Sequence, residues 1–220
     1  MEETYEQTFT LRCQQDKEVV VTRGILLLSP VFRDMLEVGN ASAIESQIPS
    51  GSSQPVGKKR KTTSDQDEDR IPEDTIPVDD DAESMRLMFN LLENHKEPVK
   101  LDDHPVARLK NLVTLADKYD LALVPRLLMQ VLWDGVEKSE KSAFKVYQVA
   151  VALKLGALAR YAVYRFGKTE RPEKFSWAVI QELGLEAYSS LTKAVARRYP
   201  PGNQEKFDWR MVEPEFMFPT

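Results

Sequence analysis

The chain has 220 residues, of which 42% are hydrophobic and 30% charged. It is therefore long enough, and apolar enough, to form one domain of ordinary size and a smaller second one. Its single cysteine, Cys13, excludes an internal disulfide framework and is typical of a reducing compartment. No apolar run follows Met1, and no stretch approaches the roughly 18 apolar residues of a membrane helix. We therefore expect an intracellular, non-membrane protein of the nucleus or the cytoplasm.

The first elements are predicted to be two strands followed by two helices. Residues 8–13 alternate polar and apolar side chains, and the β-branched run Val19–Val21 forms the second strand. Thr22 is expected to cap the first helix. Ser29–Pro30 starts the second helix, because serine accepts hydrogen bonds from free amides and proline at the first helical position loses none. This second helix is predicted to end near Val38.

A change of composition predicts a disordered, charged insertion at about residues 39–75. The stretch is rich in Ser, Gly, Pro, Gln and charge, and cannot bury enough apolar surface to offset the entropy of ordering. Within it lies the cationic run Lys58, Lys59, Arg60 and Lys61, which an acidic groove on a nuclear-import receptor can bind. Ser64 follows, with Asp67 three residues downstream, and is a candidate phosphorylation site.

Beyond the insertion, one more strand precedes a series of helices. Ile76–Val78 is the predicted third strand, and the following helix should bury Met85, Met88, Phe89 and Leu92. Further elements are a short strand at Pro98–Leu101, a helix with Leu109, Leu112, Val113 and Ala116 on one face, a helix over Leu123–Trp133 and a break over Gly135–Lys141.

The C-terminal third is predicted to be all helical. The first stripe contains Ala143, Val146, Tyr147, Ala150, Leu153 and Leu155, and a second segment starts near Gly156. Gly184 separates a third helix over Phe175–Leu183 from a fourth over Leu185–Tyr199. The aromatic-rich tail, residues 201–220, either docks on the body or serves as a peptide-like recognition segment. Docking is favoured, because exposed aromatic side chains promote aggregation.

Charge is distributed unevenly along the chain. Residues 1–137 hold 16 basic and 26 acidic side chains, a net charge of −10, whereas residues 138–199 hold 12 basic and 5 acidic ones, a net charge of +7. The basic residues either coat exposed helix faces, which is the favoured interpretation, or form a surface for nucleic acid. The second hypothesis requires one continuous patch of Arg160, Arg165, Lys168, Lys193, Arg197 and Arg198.

No residue set for catalysis or metal binding stands out. The two histidines, His95 and His104, and the single Cys13 cannot supply a zinc set, and the strand alternation around Cys13 predicts a buried thiol. Asp79–Asp81 fits the start of a helix better than a metal site. We therefore expect a non-enzyme with no catalytic residues, no metal and no cofactor.

Three segments in order carry a resemblance to a known family. They are Val19–Leu36, with its Ser-Pro-Val-Phe step and Met-Leu pair, Ile76–Ala82, and Leu115–Leu121, with its Ala-Asp-Lys-Tyr sequence. Together they resemble the BTB/POZ domain, and most closely the BTB proteins of filamentous fungi. The resemblance covers residues 5–135 and implies an α+β fold, with a short β-sheet flanked by a helical cluster. An all-α extension over residues 139–200 follows this core.

The resemblance implies a protein–protein interaction module. BTB domains dimerise or bind other proteins, some as nuclear regulators and some as substrate adaptors of cullin-based ubiquitin ligases. The expected partners are therefore proteins, with a homodimer or a cullin scaffold as specific cases. Alternatives are a chromatin-linked protein that contacts nucleic acid, which is the less favoured partner, and a monomer whose partner binds the helical extension.

The insertion generates a first prediction. A phosphate on Ser64 adds about −1.5 to −2 charge units beside the run Lys58–Lys61 and should weaken import-receptor binding. The measurement compares the receptor affinity of a peptide of residues 54–70 with and without the phosphate. Equal affinities would contradict the hypothesis.

Overall fold

The structure, a computed structural model, describes residues 7–45, 75–93, 99–167, 171–201 and 205–217, with the backbone alone for residues 39–45, 102 and 140. Helices account for most of these residues, and three strands form one small sheet, so the chain is α+β. The described residues divide into an N-terminal unit, up to Ala82 with Tyr119–Leu121, and a C-terminal unit that contains the others. The domain limits 5–135 and 139–200 stay predictions.

The sheet of the N-terminal unit has the strand order β2-β1-β3. Strand β1 (Thr8–Arg12) pairs antiparallel with β2 (Glu18–Thr22) and parallel with β3 (Thr75–Pro77). One face is apolar and buried, because alternate residues of a strand point to the same side. Its members on β1 and β2 are Phe9, Leu11, Val19 and Val21. The three predicted strands are confirmed.

Two helices follow β2, and their starts differ in mechanism. Helix α1 (Arg23–Leu26) begins after Thr22, but the Thr22 side chain makes no capping hydrogen bond, so that expectation is wrong. The first amide of α1, that of Arg23, instead donates to the carbonyl of Gln7 at 2.7 Å. Helix α2 (Pro30–Glu45) starts as predicted, with the amide of Phe32 donating to Ser29 Oγ at 3.2 Å.

The length of α2 differs from the prediction. Its backbone stays helical to Glu45, seven residues past Val38, so residues 39–45 of the expected insertion are helical. A single glycine, Gly39, costs only about 1 kcal/mol within a helix and does not end it. The insertion between residues 46 and 74 lies outside the described residues.

Six helices of the C-terminal series follow the predicted order, and a seventh, α10 (Trp209–Val212), lies in the tail, where no helix was predicted. The six are α4 (Val106–Lys118), α5 (Leu123–Lys138), α6 (Glu140–Ala152), α7 (Gly156–Tyr164), α8 (Trp177–Leu183) and α9 (Leu185–Arg198). Helix α6 is central to the C-terminal unit, because it packs against α4, α5 and α7. Of its predicted stripe, Ala143, Val146, Tyr147 and Ala150 are fully buried, whereas Leu153 and Leu155 lie past its last residue and are only partly buried. Gly184 separates α8 from α9 with φ +87°, a left-handed value that favours glycine.

Two further segments test the predicted boundaries. Helix α3 (Ala82–Glu93) buries its expected residues Met85, Met88, Phe89 and Leu92. The expected strand at Pro98–Leu101 is wrong, because residues 99 and 100 are irregular and a 3-10 helix spans Leu101–Asp103.

The described part of the C-terminal unit is helical and offers no strand edge for pairing. No described helix has the length and apolar character needed to cross a membrane.

Gly135 does not interrupt α5, contrary to the predicted break over Gly135–Lys141. The helix continues to Lys138, and Gly135 is buried within it. A Cβ atom at position 135 would lie 2.5 Å from Leu101 Cδ1 and 3.2 Å from Val146 Cγ2. The glycine therefore permits close packing of α5 on its neighbours, and the break is confined to Ser139.

The tail docks on the C-terminal unit. Trp209, Val212 and Phe216 are buried, and the Trp209 ring makes an edge contact with Phe166 at a centroid distance of 4.9 Å. Phe216 makes a similar contact with Tyr147 at 5.7 Å. The docking alternative is confirmed for the tail residues that the structure describes, 205–217.

Tail docking predicts a large loss of stability for Trp209→Ala. Truncating a fully buried tryptophan to alanine costs about 3–5 kcal/mol through lost packing. The free energy of unfolding of the C-terminal unit, measured with urea, should fall by this amount. Met211→Ala is the matched control, because Met211 lies on the same short helix and is 47% exposed. Similar unfolding curves for the two variants would show that the tail does not contribute to the core.

Candidate functional site

Four side chains from the three segments that carry the BTB resemblance meet in the N-terminal unit. We call Ser29, Phe32, Asp80 and Tyr119 the Tyr119 cluster. The Ser29 hydroxyl donates to the Tyr119 carbonyl at 2.5 Å, and the Phe32 ring stacks on Tyr119 at 4.4 Å with an angle of 9°. The Tyr119 hydroxyl donates to the Asp80 carboxylate. The sequence suggested each segment but not these contacts.

The protonation state of Tyr119 follows from its surroundings. Burial, followed by the hydrogen bond to Asp80, raises the pKa of the Tyr119 phenol well above its usual value. The phenol therefore remains a donor at every physiological pH. We conclude that the Tyr119 cluster holds the segments of the N-terminal unit together through two hydrogen bonds and a stacked ring pair.

An apolar surface lies on α2 in the same unit. Val31, Met35 and Val38, which we call the α2 stripe, recur at helical spacing on one face. Met35 is 40% and Val38 67% exposed, and Val31 is partly exposed. A stripe of this kind on a helix is a common form of protein contact surface.

The structure describes two of the three groups that were considered for metal binding or nucleophilic chemistry, Cys13 and His104. Cys13 is buried, and its Sγ lies 3.8 Å from the Leu11 carbonyl. Burial lowers the pKa of His104, which favours the neutral imidazole. His95 lies outside the described residues. Among the residues that are described, no group of three or more His, Cys, Asp or Glu side chains could hold a metal ion. Of the Asp79–Asp81 run, Asp79 accepts from Gln14 Nε2 at 3.1 Å.

The basic residues proposed for nucleic acid contact are largely paired with carboxylates. Arg160 pairs with Glu213, Arg165 with Glu137 at 3.1 Å, and Arg198 with Glu205 at 2.9 Å. The Arg197 guanidinium donates to the Glu215 carbonyl at 3.4 Å, and Lys193 is exposed. Lys168 lies outside the described residues. These pairs compensate three of the six positive charges that the hypothesis requires.

A cleft of about 830 Å³ opens in the C-terminal unit, where α5 and α7 end near the tail. We call it the basic cleft; its walls are residues 136–139, Tyr164, Arg165, Gly167, residues 206–208 and Arg210. It contains four cationic and two anionic side chains. Arg165 pairs with Glu137, and Arg210 pairs with Asp208 at 2.6 Å. The hydrogen bond from Arg210 lowers the pKa of the Asp208 carboxyl, which keeps this pair charged.

Exposed aromatic rings lead along the surface into the basic cleft. Trp133 on α5 contacts Tyr161 on α7 at 5.4 Å, and Tyr161 stacks on Tyr164 at 6.2 Å with an angle of 14°. Trp133 and Tyr164 are each 41% exposed. The Tyr161 hydroxyl donates to Glu137, which fixes the middle ring. The sequence analysis missed this arrangement; the i, i+3 spacing of Tyr161 and Tyr164 was the one available signal.

The remaining predicted site residues cannot be placed. The import run Lys58, Lys59, Arg60 and Lys61 and the phosphorylation candidate Ser64 lie outside the described residues. Both stay predictions.

Comparison with known proteins gives no relative. No family model matches the chain, and no curated protein or solved structure matches it significantly.

The Tyr119 cluster predicts a pH-dependent loss of stability. Tyr119→Phe removes the donor to the Asp80 carboxylate and should cost about 1.5–3 kcal/mol at neutral pH. Because the pKa of Tyr119 is raised on folding, its contribution is present below about pH 10 and is lost as the pH rises above that value. Amide hydrogen exchange of residues 19–36 is compared between the wild type and Tyr119→Phe. The comparison at pH 7 measures the loss of stability, and the comparison above pH 10 measures how much of the Tyr119 contribution remains.

The same measurement contains its control. Tyr164→Phe changes a ring that is 41% exposed and should leave exchange in residues 19–36 unaltered. If Tyr119→Phe exchanged like the wild type at both pH values, the cluster would not stabilise the N-terminal unit.

Proposed function

We propose that the chain is a non-enzymatic protein–protein interaction module of the BTB/POZ type, acting as a nuclear regulator or as an adaptor. The observation that carries this proposal is the Tyr119 cluster. Segments at residues 19–36, 76–82 and 115–121 resemble the family in sequence, and each contributes a side chain to one connected set of contacts. If the three segments resembled the family only by chance, there would be no reason for their side chains to contact one another.

The surface of the N-terminal unit also supports an interaction role. Besides the α2 stripe, Val20 on β2 is 65% exposed and Leu28, just before α2, is 50% exposed. Apolar side chains at helical spacing provide contact area that gains free energy when water is excluded. A second copy of the chain and a cullin scaffold are the two specific partners that the family suggests.

The alternative function, contact with nucleic acid through α7 and α9, has weaker support. Three of its six residues, Arg160, Arg165 and Arg198, already pair with carboxylates. A nucleic acid would have to displace these carboxylates or lie beside them, which lowers the counterion-release gain that drives such binding. The protein-interaction proposal requires no such rearrangement.

The proposal predicts that partners are lost when the α2 stripe is charged. Met35→Glu with Val38→Glu places two carboxylates on exposed helical positions, which should preserve folding and weaken partner binding by at least about tenfold. Proximity labelling with the full chain in its native cell, followed by light scattering of the purified protein, measures the change. Trp177→Glu with Leu185→Glu is the matched control, because both residues are exposed in the C-terminal unit.

Each outcome has a defined meaning. Partners that the wild type and the control label but the α2 variant does not would support the proposal, and a cullin among them would identify an adaptor. A wild-type dimer that becomes monomeric in the α2 variant would identify a second copy as the partner. Identical labelling and identical mass for all three proteins would contradict the proposal.

A further inference from the structure

The basic cleft combines positive charge, an exposed aromatic ring and the C-terminal end of α5. We propose that it binds an acidic peptide segment of a partner protein that carries an aromatic side chain. This inference rests on the proposed function in that the partner is a protein. It uses no residue of the N-terminal unit.

The charge of the cleft that remains uncompensated is positive. Both wall carboxylates are neutralised, Glu137 by Arg165 and Asp208 by Arg210. The ammonium groups of Lys138 and Lys206, both exposed, form no ion pair with any residue that the structure describes. Two carboxylates of an incoming peptide can therefore pair with two lysines without displacing an existing ion pair.

The aromatic rings give the cleft a contact for a planar side chain. Tyr164 is 41% exposed at the wall, and its position is held by stacking on Tyr161. An aromatic residue of the peptide would add to this series by offset stacking, which contributes beyond the area it buries.

The tail side of the cleft is held rigidly before any ligand arrives. The Phe207 ring contacts the Trp209 ring at a centroid distance of 5.1 Å, and the Arg171 guanidinium lies 4.5 Å from the centroid of the Phe207 ring. The amide of Asp208 donates to the Tyr199 hydroxyl at 2.9 Å. A preorganised wall loses little conformational entropy on binding.

The end of α5 favours a peptide over a nucleic acid. A helix leaves its last carbonyls without intrahelical donors, and α5 ends at Lys138 in the wall of the cleft. A peptide backbone supplies N–H donors for these acceptors, whereas a phosphate backbone supplies none.

The test measures binding of a glutamate-rich random copolymer of glutamate and tyrosine, labelled with fluorescein, to the full-length protein by fluorescence anisotropy. We expect it to bind more tightly than polyglutamate of equal length, because only the copolymer can stack on Tyr164. Lys138→Glu with Lys206→Glu should weaken copolymer binding by at least about tenfold. Tyr164→Ala should abolish the advantage of the copolymer over polyglutamate.

The matched control is Lys110→Glu with Lys193→Glu. It changes the net charge by the same amount at exposed positions outside the cleft, and copolymer affinity should stay within about twofold of the wild type. Circular dichroism of each variant confirms that the fold is retained.

Three results would overturn the assignment. They are no binding of the copolymer, equal loss in the two double-lysine variants, or tighter binding of a short single-stranded oligothymidylate that depends on Lys138 and Lys206. The last result would instead identify a nucleic acid site. Each can occur while the α2 stripe still supports partner binding, so failure of this inference is distinguishable from failure of the proposed function.

Discussion

The contacts of Tyr119 are the constraint on which the N-terminal unit depends. Its carbonyl accepts from Ser29, its ring stacks on Phe32 and its hydroxyl donates to Asp80. Three residues, Tyr119–Leu121, join this unit, although the chain on both sides of them belongs to the other. So short a segment cannot be held by apolar area alone. Directional hydrogen bonds and a parallel ring contact supply the specificity that fixes its place.

Much of the secondary structure could be predicted, because it depends on local patterns. Alternating side chains predicted β1, and the β-branched run Val19–Val21 predicted β2. The Ser29–Pro30 pair predicted the start of α2, and Gly184 predicted the boundary between α8 and α9. Errors arose where a distant part of the chain decides the outcome. Gly135 lies inside α5 because Leu101 and Val146 pack against it, and no local pattern contains that information.

The candidate site was the part least accessible from the sequence. The net charge of +7 over residues 138–199 suggested a basic surface. The carboxylates that neutralise it lie on either side of that range, at Glu137 and in the tail at Glu205 and Glu213. A sum over a window of sequence counts charges but does not pair them. The basic cleft is what remains after pairing, and only the fold brings Lys138 and Lys206 to one opening.

The α2 stripe and the basic cleft offer different kinds of interaction. Apolar contact through the α2 stripe gains free energy by excluding water, which depends little on salt and mainly slows dissociation. Charge in the basic cleft acts over about 8–10 Å at physiological ionic strength, so it steers an acidic segment and sets specificity more than affinity. The two proposed surfaces would therefore contribute to partner binding in different ways.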